Sequence, residues 1–174
     1  MKICVLALAA LIGGASATGA ADDIYAKYFS GVNDGKPCYA RNYDDAHLKS
    51  HPKQKVRQIE VDFDQGWRSD ESARNTAADF HAGMSFMLKT SPEWYGQQLY
   101  CKIGGNGFDC TLDADGGRIR LTPAGANVKL EITSPSGIAV EGEKDAAEFG
   151  KPGSDDRVFI LMPANRKICD DASK

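Results

Sequence analysis

The chain reads as mainly β: an antiparallel up-and-down barrel or a two-sheet sandwich of about 8–9 strands with one or two short helices, stapled by two disulfides. Three observations predict this. Apolar and polar residues alternate from about Gln97 to Gly142, glycine-rich turn signals punctuate that alternation, and four cysteines follow an export signal. Period-two alternation marks strands with one buried face.

The N-terminus has the three parts of a secretory signal. Met1-Lys2 is a short positive region, Ile3 to Ile12 an uncharged apolar run, and Gly13 to Ala21 small-residue chain suited to signal peptidase. Crossing a membrane takes roughly 17 to 25 apolar residues, which this run does not reach. Residues 1–20 are therefore expected to be removed, with cleavage between 17 and 21, leaving residues 21–174 as a single β-rich domain. Cys4 goes with the signal, so the five cysteines become Cys38, Cys101, Cys110 and Cys169. An even count in an exported chain implies a disulfide framework.

Strand register chooses the pairing. Leu99, Cys101 and Ile103 share one face, and Phe108, Cys110 and Leu112 follow the Gly104-Gly105-Asn106-Gly107 turn at the same spacing. A two-residue turn at Gly105-Asn106 sets Ile103 against Phe108, Cys101 against Cys110 and Leu99 against Leu112. Cys38 then pairs with Cys169. A turn at Asp115-Gly116 sets Leu112 against Ile119 and Cys110 against Leu121. Another near Ala124-Gly125 sets Leu121 against Val128 and Ile119 against Leu130. A three-residue turn at Ser134-Pro135-Ser136 sets Ile132 against Ile138 and Leu130 against Val140. Five consecutive strands result, with Lys102, Asp109, Thr111, Arg118, Arg120, Lys129 and Glu131 on the wet face.

Further strands are expected at Cys38 to Arg41, Val56 to Phe63 and Phe80 to Leu88, with Gly83 a bulge, and at Val158 to Met162, a continuous apolar run suited to burial on both faces. Asp22 to Phe29, Glu143 to Phe149 and one turn at Asp44 to Ser50 read as helix. Gln65 to Asn75 and Lys151 to Asp156 read as surface loops.

Composition excludes some functions. The net charge of −3 becomes −4 on losing Lys2, a poor basis for holding nucleic acid, which requires clustered cations against phosphates. One locally basic stretch (Arg41, Lys49, Lys53, Lys55, Arg57) reads as a solvated face. His47 and His51 are four apart, as a helical metal pair would be, but Pro52 disfavours helix there. His81 with Met84 and Met87 offers soft ligands, although Met84 fits an apolar face. No metal site and no cofactor are expected. No nucleophile elbow, zinc-protease motif, phosphate loop or dinucleotide fingerprint occurs. The loop carboxylates Asp113, Asp115, Asp155 and Asp156 supply the alternative of a small extracytoplasmic hydrolase. The Asp155-Asp156-Arg157 run reads as loop solvation or an ion pair.

Trp67, Trp94 and Tyr95 lie in or beside loops, and aromatics on a rigid β-scaffold build ligand contacts. The sequence thus points to a non-catalytic binding module, periplasmic or extracellular, that recognises a protein or small-molecule ligand through loops or the barrel mouth. A structural component of an envelope assembly is a further alternative. No membrane insertion is expected after cleavage. Intact-mass measurement of the exported protein should find a new N-terminus between Thr18 and Asp22; retained Met1 would refute export by this signal.

Overall fold

The computed structural model describes residues 17–30, 37–62, 76, 78–113, 115–142 and 145–172. In order these form α1 (Ala17–Tyr28), β1 (Cys38–Asn42), α2 (Asp45–Ser50), β2 (Val56–Asp62), β3 (Asp79–Leu88), β4 (Trp94–Gly104) and β5 (Gly107–Leu112). Then follow β6 (Arg118–Ala124), β7 (Asn127–Ile132), β8 (Ile138–Glu141), β9 (Ala146–Phe149), β10 (Val158–Pro163) and α3 (Arg166–Ala172). Eight strands close an antiparallel barrel in the order β1-β10-β7-β6-β5-β4-β3-β2, while β8 and β9 pair separately. The fold is a barrel, not a sandwich.

The meander from β2 to β7 follows from alternation. Ile59 and Val61, Phe80 to Phe86 at every second residue, Leu99, Cys101, Phe108, Cys110, Ile119, Leu121, Val128 and Leu130 are all almost fully buried. Each fully buried aliphatic or aromatic side chain contributes about 1.5–3 kcal/mol. Hairpin β4–β5 has the expected register, Leu99 with Leu112, Cys101 with Cys110 and Ile103 with Phe108. Gly105 takes φ of 58° at its turn, a conformation glycine adopts without penalty. The disulfides are Cys101–Cys110 and Cys38–Cys169, with sequence separations of 9 and 131. By loop-closure entropy the longer link is worth about 4–5 kcal/mol and the shorter about 3 or less.

Several expectations need correction. The β5–β6 register is Cys110 with Ile119 and Phe108 with Leu121, and the β6–β7 register is Leu121 with Leu130 and Ile119 with Ile132. Both differ from the expected pairings by two residues, a slip that leaves every side chain on its own face. The fifth strand, β8, leaves the meander. It pairs with β9, which is strand rather than the expected helix because Ala147 and Phe149 bury on one side. The place beside β7 goes to β10, with Phe159 opposite Leu130 and Leu161 opposite Val128. β10 is buried on one face only: Val158, Ile160 and Met162 are 49%, 40% and 43% exposed. Gly83 pairs regularly with Asp62 and Gln98, and the irregularity lies between Val56 and Gln58 instead. α3 was not expected, whereas α1 and α2 overlap the helical stretches expected at Asp22 to Phe29 and Asp44 to Ser50.

Both ends of the barrel are stoppered. At one end Phe29, which follows α1, stacks on Phe80 at 5.4 Å and meets Phe108 edge-on at 5.1 Å. Tyr28 Oη donates to Gly125 O at 2.5 Å in the β6–β7 turn. At the other end Phe149 of β9 meets Phe86 edge-on at 4.4 Å, and Tyr43, which precedes α2, lies 6.5 Å from Phe159. Tyr28 and Phe29 lie after every expected cleavage site, so cleavage at any of them would leave the stopper in place. Phe29→Ala should cost about 3–5 kcal/mol of stability, measured by denaturant unfolding; a loss under 1 kcal/mol would show that the ring does not fill the barrel end.

Candidate functional site

With its interior filled by side chains, the barrel offers surface at its rims. β4 is 11 residues long and β5 only six, so Trp94 to Gln98 of β4 run past β5. The β5–β6 loop crosses this overhang, with Asp113 N donating to Gln98 O at 3.2 Å. β8 docks on the same loop, Ala139 N donating to Gly116 O at 3.0 Å. Between them lies a cleft of about 380 Å³ lined by Gln97, Asp113, Asp115, Gly116, Ala139, Val140 and Ala146. Its chemistry is two exposed carboxylates and a half-buried amide beside a small apolar surface.

Asp113 and Asp115 were legible as loop carboxylates. Gln97 was not singled out, yet it had a signal: a polar residue at an inward position of the apolar series Tyr95, Leu99, Cys101. Of the predicted aromatics, Trp94 and Tyr95 do not line this cleft. Trp67 lies outside the described residues. Trp94 is half-buried on the outer wall opposite Met87. Tyr95 is a core residue, 2% exposed, stacked on Phe86 at 5.3 Å. Its hydroxyl donates to Asp145 Oδ1 at 2.8 Å, tying the β8–β9 hairpin to β4, and that bond raises its pKa. Its ring therefore presents no surface to a ligand in this structure.

The histidines form a stack rather than a donor set. The His47 ring lies 4.5 Å from Tyr43 and 4.0 Å from His51. Gln54 Nε2 donates to Val56 O, which leaves Gln54 Oε1 as the acceptor for His47 Nε2 at 3.1 Å. His51 Nδ1 meets His47 O at 3.0 Å. His81 packs edge-on to Tyr100 on the outer wall, while Met84 is buried inside. The one candidate metal cluster among the described residues, Cys38, Glu60 and Cys169, has both sulfurs committed to a disulfide.

Asp156 is neither loop solvation nor an ion pair. It is fully buried, and its carboxylate accepts Lys55 N at 2.7 Å and Val56 N at 3.1 Å. Burial raises its pKa against the lowering effect of those two bonds. It fixes the start of β2.

A second polar cluster occupies the outer wall beneath α3. Glu60 and Asp62 alternate outward from β2 and are 2% and 7% exposed. Arg166 Nη2 donates to Asp62 Oδ2 at 2.7 Å, and its Nε donates to Asp170 Oδ1 at 2.8 Å. Gly83 leaves room for this arrangement, since a Cβ there would sit 2.6 Å from Asp62 Oδ1. Burial and, secondarily, Asp62 push the Glu60 carboxyl up to about 8, against the lowering effects of Ser85 and Arg166.

No helix among the described residues is long and apolar enough to cross a membrane. The chain matches no protein-family model, no curated protein and no solved structure.

The Glu60 shift fixes a sign. A carboxyl that holds its proton more tightly when folded stabilises the fold most below its unfolded pKa near 4.5, and that contribution falls as pH rises towards about 8. The loss across this window is at most about 4–5 kcal/mol. Glu60→Gln should flatten the decline in chemical-denaturation stability between pH 5 and 8; an unchanged slope would refute the assignment to Glu60.

Proposed function

We propose that this protein is a non-catalytic binding module, periplasmic or extracellular, that recognises a protein or small-molecule ligand at the barrel-mouth cleft. The observation that carries this reading is the contrast between a filled, stoppered interior and an open rim cleft of about 380 Å³. A volume of this order suits a small molecule or one or two side chains of a partner. The two disulfides support the compartment, because such bonds persist where the medium is oxidising. Asp113, Asp115 and the Gln97 amide favour a group that donates hydrogen bonds and carries positive charge, with Ala139, Val140 and Ala146 receiving its apolar part.

The hydrolase reading has one observation in its favour, that Asp113 and Asp115 line the same cleft. Both, however, are exposed. Solvated carboxylates suit recognition better than proton transfer, which favours a pKa tuned by burial or neighbours.

The test uses the mature protein and three probes: lysine amide, arginine amide and, as an anionic control, N-acetylglutamate. Titrating each against backbone amide resonances should move Gln97, Gly116, Ala139 and Ala146 with the two cationic probes only. Asp113→Asn with Asp115→Asn should abolish those shifts without changing the fold. Shifts confined elsewhere, or equal shifts with the anion, would remove the cleft from consideration. Turnover of a glycan or ester that one of these substitutions abolishes would replace binding with hydrolysis.

A further inference from the structure

β4 has an edge that no strand among the described residues fills along its whole length. Its odd-numbered residues turn their backbone N–H and C=O towards β3, as Ile103 does in donating to Ala78 O at 3.2 Å. Its even-numbered residues turn theirs towards β5, as Gln98 does in accepting Asp113 N. The β4–β5 register ends at Leu99 with Leu112 and the chain turns away after Asp113, so past Gln98 that side of the strand is open. The N–H and C=O of Trp94 and Gly96 face this gap, and among the described residues nothing hydrogen-bonds them. Both residues are half-buried rather than enclosed. Resting on the reading of the rim cleft as a binding site, we propose that this edge takes a further strand: an extended peptide carrying a lysine or arginine pairs its backbone with Trp94 and Gly96 and sets the basic side chain in the cleft.

The shape of the edge selects this occupant. Donors and acceptors at alternate residues of a strand are the complement of one more extended chain, whereas a helix has already spent its own backbone groups. Gly96 presents no side chain on the outer wall, and a glycine within a strand marks a place where a second backbone can approach closely. The fold itself does not need that space: a Cβ there would meet Ser85 Oγ at 3.5 Å and Met84 O at 4.0 Å, which are ordinary contacts. Side chains of the added strand alternate between faces. The residue opposite Gln97 shares its face and so reaches the cleft, where Asp113 and Asp115 match a positive charge. The next residue, opposite Gly96, lies on the outer wall diagonal to Trp94, which favours a β-branched side chain. A second copy of this chain also offers a free edge, but pairing the two would bring its Asp113 and Asp115 to a rim that already carries two carboxylates.

The test uses the mature protein and a blocked peptide of threonine, lysine, valine, threonine and valine in that order. Its control has the same side chains but N-methyl groups on both valines, which removes the donors of the pairing edge. The peptide should bind at least about 10-fold more tightly than the control and than lysine amide, the worth of two backbone hydrogen bonds. Amide exchange should find the N–H of Trp94 and Gly96 open in the free protein and at least about 10-fold protected in the complex. Gly96→Pro deletes a donor that β3 does not use, at a residue without positive φ, and should lower peptide affinity to that of the control. Where that variant does not fold, the two peptides on the wild-type chain decide. Equal binding of peptide and control, or protection confined elsewhere, overturns the added strand, while shifts at Gln97 and Gly116 with lysine amide would leave the cleft reading standing. Binding by neither peptide nor lysine amide removes both. Protection of Gly96 N–H in the free protein that grows with protein concentration would replace the peptide with a second copy.

Discussion

Closure of the sheet rests on a short seam. β1 and β10 are joined by two register pairs, Tyr39 with Pro163 and Ala40 with Met162, where neighbouring strands such as β3 and β4 share nine. So short a ladder holds because it is reinforced beside the pairing. Cys38 at the start of β1 is linked covalently to Cys169, and Ala164 N donates to Cys38 O at 2.8 Å. Without this seam the meander would present two unpaired strand edges and a half-exposed core. With it, the chain from β1 to β10 encloses one apolar interior, and the remaining elements become stoppers on its ends or covers on its wall.

That closure decides where chemistry is available. A barrel of eight strands has an interior of a size that side chains can fill. Here they do, with Phe29 at one end and Phe149 at the other. Polar groups are left with three places: the wet outer face, the rim and the narrow space under α3. On the outer face charges pair across strands, as Arg120 does with Asp109 at 2.5 Å. Such exposed pairs contribute little to stability. The rim cleft exists because β4 outruns β5. Under α3 the wall is kept low at Gly83, where a Cβ would sit 2.6 Å from Asp62 Oδ1, and two carboxylates, Glu60 and Asp62, are buried there.

Local pattern revealed which face of β2 to β8 is inward, and with it the Cys101–Cys110 disulfide, because both properties depend on residues a few positions apart; Cys38–Cys169, 131 positions apart, followed by elimination. It did not reveal the neighbour. Registers that differ by two residues bury the same side chains, so alternation cannot choose between Leu121 opposite Val128 and Leu121 opposite Leu130; placing the turn at Gly125-Ala126 rather than Ala124-Gly125 decides it. The same blindness explains β8. Ile138 and Val140 need an apolar surface, and either β7 or the barrel end supplies one. β9 was hidden for a different reason: Ala146, Ala147 and Glu148 are good helix formers, and pairing with β8 overrides that weak preference. Of the candidate site, Asp113 and Asp115 could be named from sequence, but the wall that faces them, Ala139, Val140 and Ala146, comes from the β8–β9 hairpin, a contact that no spacing encodes.

β10 brings these strands of argument together. Its inward residues, Phe159 and Leu161, are almost fully buried, and its outward residues, Val158, Ile160 and Met162, are substantially exposed. An apolar run with no alternation therefore does not require two covered faces. It requires only that the inner face be apolar and that nothing select against apolar residues outside. On the outer side Lys129 and Glu131 of β7 flank Ile160 and Val158, and Arg41 Nη1 approaches Met162 Sδ at 3.8 Å. Charged neighbours on both sides break the stripe into single side chains, and scattered apolar residues on a charged wall are ordinary for a folded chain. The strand that seals the barrel is thus also the one whose sequence is least constrained by solvent, because its role is fixed by what it closes.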